Sequence, residues 1–390
     1  MQKKQYLIQN YKRFPVSFVR GRGVYLWDAK RKKYLDMLAG VAVMNLGHGH
    51  KAVCSALVCQ ARELWHTSNY FHIAPQEALA KALCEYSFAE EAFFCSSGAE
   101  ANEAAIKLAR KYGHDLYKKG KHEIIAFENS FHGRTYGALS ATGKPAIKHG
   151  FGPLVSGFVF ARFNDIKDVR SKISAKTCAV ILELVQGEGG VHIARRGFIH
   201  NVARLCKKYH ALLIVDEVQT GMGRCGTLFA YEHYGIKPDI MTLAKGLGNG
   251  FPIGALLTTH EIGLHFNYGT HGATFGGNFL ASAVGLRVLK EIGKKAFLRH
   301  VQEVGEYLLV SLKKALHNHP YILKIRGKGL MIGIECADDV DDLVKKFLQR
   351  GIIVGKAGER VIRLLPPLII TKKEIDIFVL EFKKLCPRLE

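Results

Sequence analysis

Two patterns in this chain have residue types suited to chemistry. One is an acid pair, Asp216-Glu217, that ends the apolar run "LLIV". The other is Lys245, set between the apolar stretch "IMTLA" and the glycine turn "GLGNG". The run from Leu212 reads as a buried strand, so both carboxylates stand at its carboxyl end, the edge where α/β sheets bind ligands. An acid pair there serves a metal, a nucleotide or a positive charge on an organic cofactor, and the run alone leaves all three open. A lysine in the setting of Lys245 reaches bulk water poorly. Either it snorkels or pairs with an acid, or its amine is desolvated, lowered in pKa and nucleophilic toward a carbonyl.

A lysine and an acid at two strand ends match what pyridoxal phosphate requires. The lysine forms a Schiff base, and the acid keeps the pyridine nitrogen protonated so that the ring can absorb the electrons of a carbanion. Strand alternation sends Asp216 and Val218 to one face and Glu217 to the other. Asp216 is therefore expected at the ring nitrogen, Val218 on the ring face and Gln219 near the ring hydroxyl. Glu217 is grouped with these cofactor-binding residues, although anchoring of the strand end would also account for it. In "SSGAEANEAAIKLAR", Ser97, Gly98 and Ala99 open a helix whose free N–H groups and positive dipole end suit a phosphate. A plain serine N-cap, with Glu100 and Glu103 in the first turn, is the competing reading. "SFHGRT" offers Phe131 as a stacking ring and Arg134 as a planar fork for a carboxylate. Out of context, a phenylalanine belongs to a core and an arginine to a surface. Glu183 and Glu188 in "ELVQGEGG" add acids at another strand end, and Arg363 in "VIRLLPPL" is a candidate partner for them.

Other chemistries fit less well. Gly221, Gly223 and Gly226 spell GxGxxG, but no firm helix start and no suitably spaced acid follow, which argues against a dinucleotide site and a nucleotide-binding oxidoreductase. "ALSATGKP" has Ala138 and Pro145 where a P-loop needs glycine and a hydroxyl, which removes the best reason for Mg²⁺ at Asp216-Glu217. The nine cysteines are odd in number and scattered, with Cys54 and Cys59 the closest pair, so they read as reduced thiols of a cytoplasmic protein with no metal site. The net charge of +22 is spread along the chain without a basic-aromatic platform. It reads as a solvated surface that attracts small anions, rather than as a nucleic-acid binder. No apolar run is long enough to span a membrane, and Met1–Arg13 lacks the features of a secretory signal, so no membrane partner is expected.

The elements that must position these residues alternate. "EAFFC", "HEIIAF", "CAVILE", "ALLIVD" and "DIMTLA" read as strands, with helical stretches such as "ANEAAIKLARKY" and "RRGFIHNVARLCKKYH" between them. This is α/β patterning with a mainly parallel sheet flanked by helices. A chain of 390 residues exceeds one ordinary core. The expected division is an N-terminal segment, 1–45, packing with a smaller domain; a large cofactor-binding domain, 46–277; and a smaller C-terminal α+β domain, 278–390.

Taken together and in order, the motifs resemble the class III (subgroup II) pyridoxal-phosphate aminotransferases over nearly the whole chain. They run from "GRGVYLWDAKRKKYLDMLAGVAVMNLGHGH" through "LWHTSNYF", "SSGAEANEAAIKLAR", "SFHGRTYGALSATG", "ELVQGEGG", "LLIVDEVQTGMGR", "TLAKGLGNGFPIGA" and "HGATFGGN" to "IRLLPPL". The resemblance implies a fold-type-I transferase. In it Lys245 carries the Schiff base, Gly98 and Ala99 hold the phosphate, and Thr274 adds a contact from a partner subunit. Phe131 stacks on the ring and Arg134 binds the substrate α-carboxylate. Glu188 pairs with Arg363 and swings away when 2-oxoglutarate needs that arginine. "LWHTSN" tilts the implied donor toward N-acetylornithine, whose δ-amino group passes to 2-oxoglutarate in arginine biosynthesis. Succinylornithine, N-succinyl-diaminopimelate, ornithine and 4-aminobutyrate remain alternative donors. A homodimer with shared sites is implied as well. The chain departs from the family pattern at Ala273, where serine is common beside Thr274 and contacts phosphate or substrate, and at Leu184, where proline is usual.

Overall fold

The computed structural model describes residues 6–117 and 120–386. The first five residues of the expected N-terminal segment and the last four of the expected C-terminal domain lie outside the described residues. A seven-stranded sheet forms the centre. Its order is Glu91–Cys95, Gly254–Thr258, Ile240–Leu243, Leu212–Asp216, Thr177–Glu183, Glu123–Phe127 and Phe158–Ala161. Gly254–Thr258 runs antiparallel to both neighbours, and the other adjacent pairs are parallel.

The central strands are buried on both faces, which is why they read as unbroken apolar runs. Leu212 and Ile214 pack toward Ala104, Ala105 and Leu108 of the helix Gly98–Tyr117. Leu213 and Val215 join the opposite cluster, with Phe198, Ile199 and Val202 of the helix Arg196–Tyr209. This period-two alternation aims Asp216 at the first helix and Glu217 away from it.

A second core forms under an antiparallel sheet of Ile322–Lys328, Met331–Cys336, Val361–Leu364 and Gly355–Lys356. The helices Lys295–Ala315, Asp341–Gln349 and Lys372–Leu385 contribute Leu312, Phe347 and Phe378 to it, and Val24, Leu35 and Met37 join from near the N-terminus. The helix Phe279–Ile292 puts Ala281, Val284 and Val288 into the first core instead. Arg224 ties the cores together. Its guanidinium donates to the carbonyls of Leu330 (3.0 Å) and Pro366 (2.6 Å) and to Asn45 Oδ1 (2.6 Å), with the side chain wholly buried. The turn that spells GxGxxG in sequence is thus a structural staple. Among the described residues, no helix is long and apolar enough to cross a membrane.

Candidate active site

A cavity of about 390 Å³ opens beside the carboxyl ends of the central strands. Ser97, Gly98, Ala99, Phe131, Arg134, Glu188, Asp216, Val218, Gln219 and Lys245 all line it. Residues separated by nearly 150 positions converge here because parallel strands deliver their carboxyl ends to one edge.

Asp216 is held rigidly. Its Oδ2 accepts from His132 Nδ1 (2.7 Å) and Asn102 Nδ2 (2.8 Å), and its Oδ1 accepts from the Val218 N–H (3.0 Å). Asn102 is fixed in turn by the Thr242 hydroxyl (2.8 Å) and by the His132 carbonyl (2.7 Å). A carboxylate only accepts, so the proton of His132 sits on Nδ1. The other ring nitrogen, Nε2, is buried with no partner among the described residues. Asn102 and His132 lay inside motifs singled out in the sequence but were given no role there. The usable signal was an asparagine on the alanine-rich face of the helix Gly98–Tyr117, where burial demands polar partners.

Lys245 follows the strand Ile240–Leu243, which lies beside the Asp216 strand in parallel register. It has a left-handed backbone, φ +39°, a strained conformation for a residue with a side chain and one that clusters at functional sites. Its amine makes no hydrogen bond or ion pair among the described residues. Desolvation lowers its pKa, Arg363 adds to that lowering, and the charges of Glu188, Asp216 and Glu183 oppose it.

At the helix start the serine cap is made. The Ser97 hydroxyl accepts from the Glu100 N–H (3.3 Å) and donates to Glu100 Oε2 (3.0 Å), which also receives the Ser96 N–H (2.8 Å). This cap leaves the N–H groups of Gly98 and Ala99, in the first turn, without an intrahelical partner. Gly98 also packs closely: a Cβ there would lie 2.7 Å from Val218 Cγ1 and 3.3 Å from Ala244 Cβ. Val218 is β-branched and stiff, so Gly98→Ala must shift the cradle. The expected result is about a tenfold loss of cofactor affinity with the fold retained, read by equilibrium dialysis. Unchanged retention would show that these N–H groups hold nothing.

Glu183 and Glu188 line the cavity too, and Arg363 lies behind Glu188. Arg363, buried, donates through Nη1 to Glu188 Oε1 and, at the limit of contact, to Gln219 Oε1 (3.5 Å). Burial pushes the Glu188 carboxyl up, but the charge and hydrogen bond of Arg363, with Lys245 and Lys144, hold it below the usual carboxylate range. Glu183 accepts from the N–H groups of Phe131 (3.0 Å) and Gly187 (3.4 Å), and burial pushes it up to about 7. The Arg134 guanidinium lies 5.7 Å from the Phe131 ring centre and is otherwise exposed.

Four of the expected site residues are not among those that line this cavity: Arg363, which meets it through its partners Glu188 and Gln219, and three that lie elsewhere. Glu217 turns to the opposite face, where it accepts from the N–H groups of Ala230 and Tyr231, both at 2.7 Å. It anchors the short helix Ala230–Tyr234 rather than lining the site, and burial pushes it up to about 8. Ala273 and Thr274 belong to a separate depression with Asn69, Gln76 and His271. The Ala273 carbonyl accepts from Asn69 Nδ2 (3.1 Å).

A lysine and a carboxylate on adjacent strand ends, facing an anion-ready helix start, define the class: a fold-type-I pyridoxal-phosphate-dependent transferase. The class-III aminotransferase family pattern matches residues 6–386. The chain belongs to that family. It is similar to an acetylornithine aminotransferase of Oceanobacillus iheyensis, with 47% identity over 98% of this chain and 96% of that one. Among solved structures it resembles the ornithine aminotransferase of Toxoplasma gondii, described as carrying pyridoxal phosphate at partial occupancy in its active site. That match has a TM-score of 0.94 and 33% identity over 97% of this chain and 92% of the other. The N-acetylornithine aminotransferase of Stenotrophomonas maltophilia matches at TM-score 0.85 and 35% identity, over 96% of each chain.

Proposed function

We propose that this aminotransferase moves the δ-amino group of N-acetylornithine to 2-oxoglutarate with pyridoxal phosphate, giving N-acetylglutamate 5-semialdehyde and glutamate. One observation carries the reading. Lys245 and Asp216, on adjacent strand ends, face one cavity with the unsatisfied helix start at Gly98 and Ala99. The donor set fits the cofactor: free N–H groups for a phosphate, a buttressed carboxylate with open capacity on Oδ1 for a protonated ring nitrogen, and an unpartnered amine for its carbonyl carbon. The names of the relatives supply the acetylated donor.

When bound, the cofactor supplies an electron sink for the carbanion formed at the amine-bearing carbon. Lys245 would hold it covalently at rest. Once released, its amine takes the proton from the donor δ-carbon, and in the second half-reaction it delivers one to C2 of the 2-oxoacid. Asp216, fixed by His132 and Asn102, would keep a proton on the ring nitrogen. Phe131 would stack on the ring, Val218 would pack against it and Gln219 would reach the ring hydroxyl. Arg134 binds the α-carboxylate. Arg363 stays masked by Glu188 while the amine donor is present and opens to the second carboxylate of 2-oxoglutarate.

Thr274 and Ala273 act across a homodimer interface. Exposed Trp65, Tyr70, Phe71 and Phe275, from the same two loop regions, support burial of that face against a second copy. Free cysteines throughout fit a reducing cytoplasm.

A donor panel tests the substrate. With 2-oxoglutarate as acceptor, N-acetylornithine is expected to exceed ornithine, 4-aminobutyrate and N-succinylornithine by at least about tenfold in kcat/KM. A higher value for any of the others would reassign the donor.

A further inference from the structure

Glu188 has a second cation beside it that the reaction so far does not use. Lys144 Nζ donates to the Glu188 main-chain carbonyl at 2.6 Å. The base of Lys144 is pinned. Gly143 donates its N–H to the Ser130 carbonyl (3.1 Å) and hydroxyl (3.0 Å), and its carbonyl accepts from the Asn129 N–H (2.8 Å). A Cβ on Gly143 would lie 2.0 Å from the Phe127 carbonyl, so this turn sits flat on a strand end and has no room to drift. The Lys144 side chain is half-buried and lies outside the set of residues that line the cavity.

The inference rests on the two-substrate reading above. In the first half-reaction the Glu188 carboxylate is paired with Arg363. In the second, Arg363 is given to the oxoacid, and Glu188 is left as a half-buried carboxylate without its partner. Such a charge is costly unless another cation or donor receives it. Arg363, Lys245 and Lys144 are the cations that act most strongly on Glu188. Arg363 is then occupied and Lys245 is committed to the chemistry. Lys144 remains, and the Glu188 carboxylate is the strongest charge acting on its ammonium. Glu183, the other anion nearby, is already held by the N–H groups of Phe131 and Gly187.

We propose that Lys144 is a positioning residue that receives the Glu188 carboxylate when Arg363 turns to the oxoacid. At rest it holds the main chain of Glu188; in the second half-reaction it also holds the displaced side chain. Dual specificity then depends on two cations sharing one acid, and Lys144 lowers the cost of opening Arg363.

The test is a double-mutant cycle in the holoenzyme with Lys144→Met, Glu188→Gln and the pair. Lys144→Met is expected to raise the KM for 2-oxoglutarate, and the Kd of unreactive glutarate measured by calorimetry, about tenfold. The KM for the amine donor should stay within about twofold, and Lys144→Arg should recover most of the loss. In the Glu188→Gln background, Lys144→Met should no longer change the KM for 2-oxoglutarate, because no charged carboxylate needs a new partner. Donor and acceptor KM rising together would make Lys144 a merely structural contact and overturn the proposal. Persistence of the effect in Glu188→Gln would mean that Lys144 attracts the oxoacid directly, and would also overturn it. Wild-type protein without 2-oxoglutarate-dependent turnover would sink the two-substrate reading together with this inference. Normal turnover with an unmoved KM in Lys144→Met would sink this inference alone.

Discussion

Replacing Lys245 by alanine is expected to lower turnover by at least about 10⁴-fold while the chain stays folded and still takes up cofactor. Two functions are lost together: covalent attachment, and the proton transfers at the donor δ-carbon and at C2 of the oxoacid. The phosphate cradle at Gly98 and Ala99 and the carboxylate of Asp216 are untouched, so binding weakens but survives. Truncation also relieves a desolvated amine with no hydrogen-bond partner, so the fold does not suffer. The working form of the amine is neutral. Because burial lowers its pKa, the acid limb of the rate profile lies at lower pH than an exposed lysine would allow, and activity falls as pH drops through that pKa. Borohydride reduction followed by digestion checks the site. Wild-type protein should yield a pyridoxyl-modified peptide at Lys245, and the variant none. A tag on another lysine, or turnover within tenfold of wild type, would refute the assignment.

The chemistry-bearing strand ends were legible because each couples a strong local pattern to an abrupt change. Leu212 to Val215 is apolar without interruption and stops at an acid. Alternation alone then separated Asp216 from Glu217, and the structure puts them on opposite faces. What Glu217 does was out of reach, because its partners Ala230 and Tyr231 lie 13 and 14 residues further on, in a helix too short to show a period. The support of Asp216 was hidden for the same kind of reason. His132 and Asn102 are 84 and 114 residues away from it, and no local pattern reports which side chains the sheet brings together. The reversed strand Gly254–Thr258 was equally invisible, since hydrophobic periodicity carries no direction. Ala273 and Thr274 sit apart from the cavity of their own chain, so a single sequence could connect them to it only through resemblance.

Asp216→Asn keeps the size of the side chain and removes its charge, and a loss of about 10²–10³-fold in kcat is expected. Asparagine cannot hold a proton on a pyridine nitrogen, so the electron sink loses the positive charge that makes it effective. The surrounding donors make the substitution worse than a simple neutralisation. Asp216 now accepts three hydrogen bonds, from His132, Asn102 and Val218. An amide in its place must turn its NH₂ toward at least one of these donors. With its oxygen toward His132 and Asn102 the amide keeps both of those bonds and sets its NH₂ against the Val218 N–H alone. The variant should therefore fold, with His132 keeping its Nδ1 proton, visible as ring ¹⁵N shifts of the same tautomer as in the wild-type protein. Loss of charge predicts a specific rescue. A cofactor analogue methylated at the ring nitrogen carries its positive charge permanently and should restore part of the rate in Asp216→Asn while giving no gain in the wild-type protein. If the analogue restores nothing although it binds, Asp216 serves to orient the ring rather than to hold its charge.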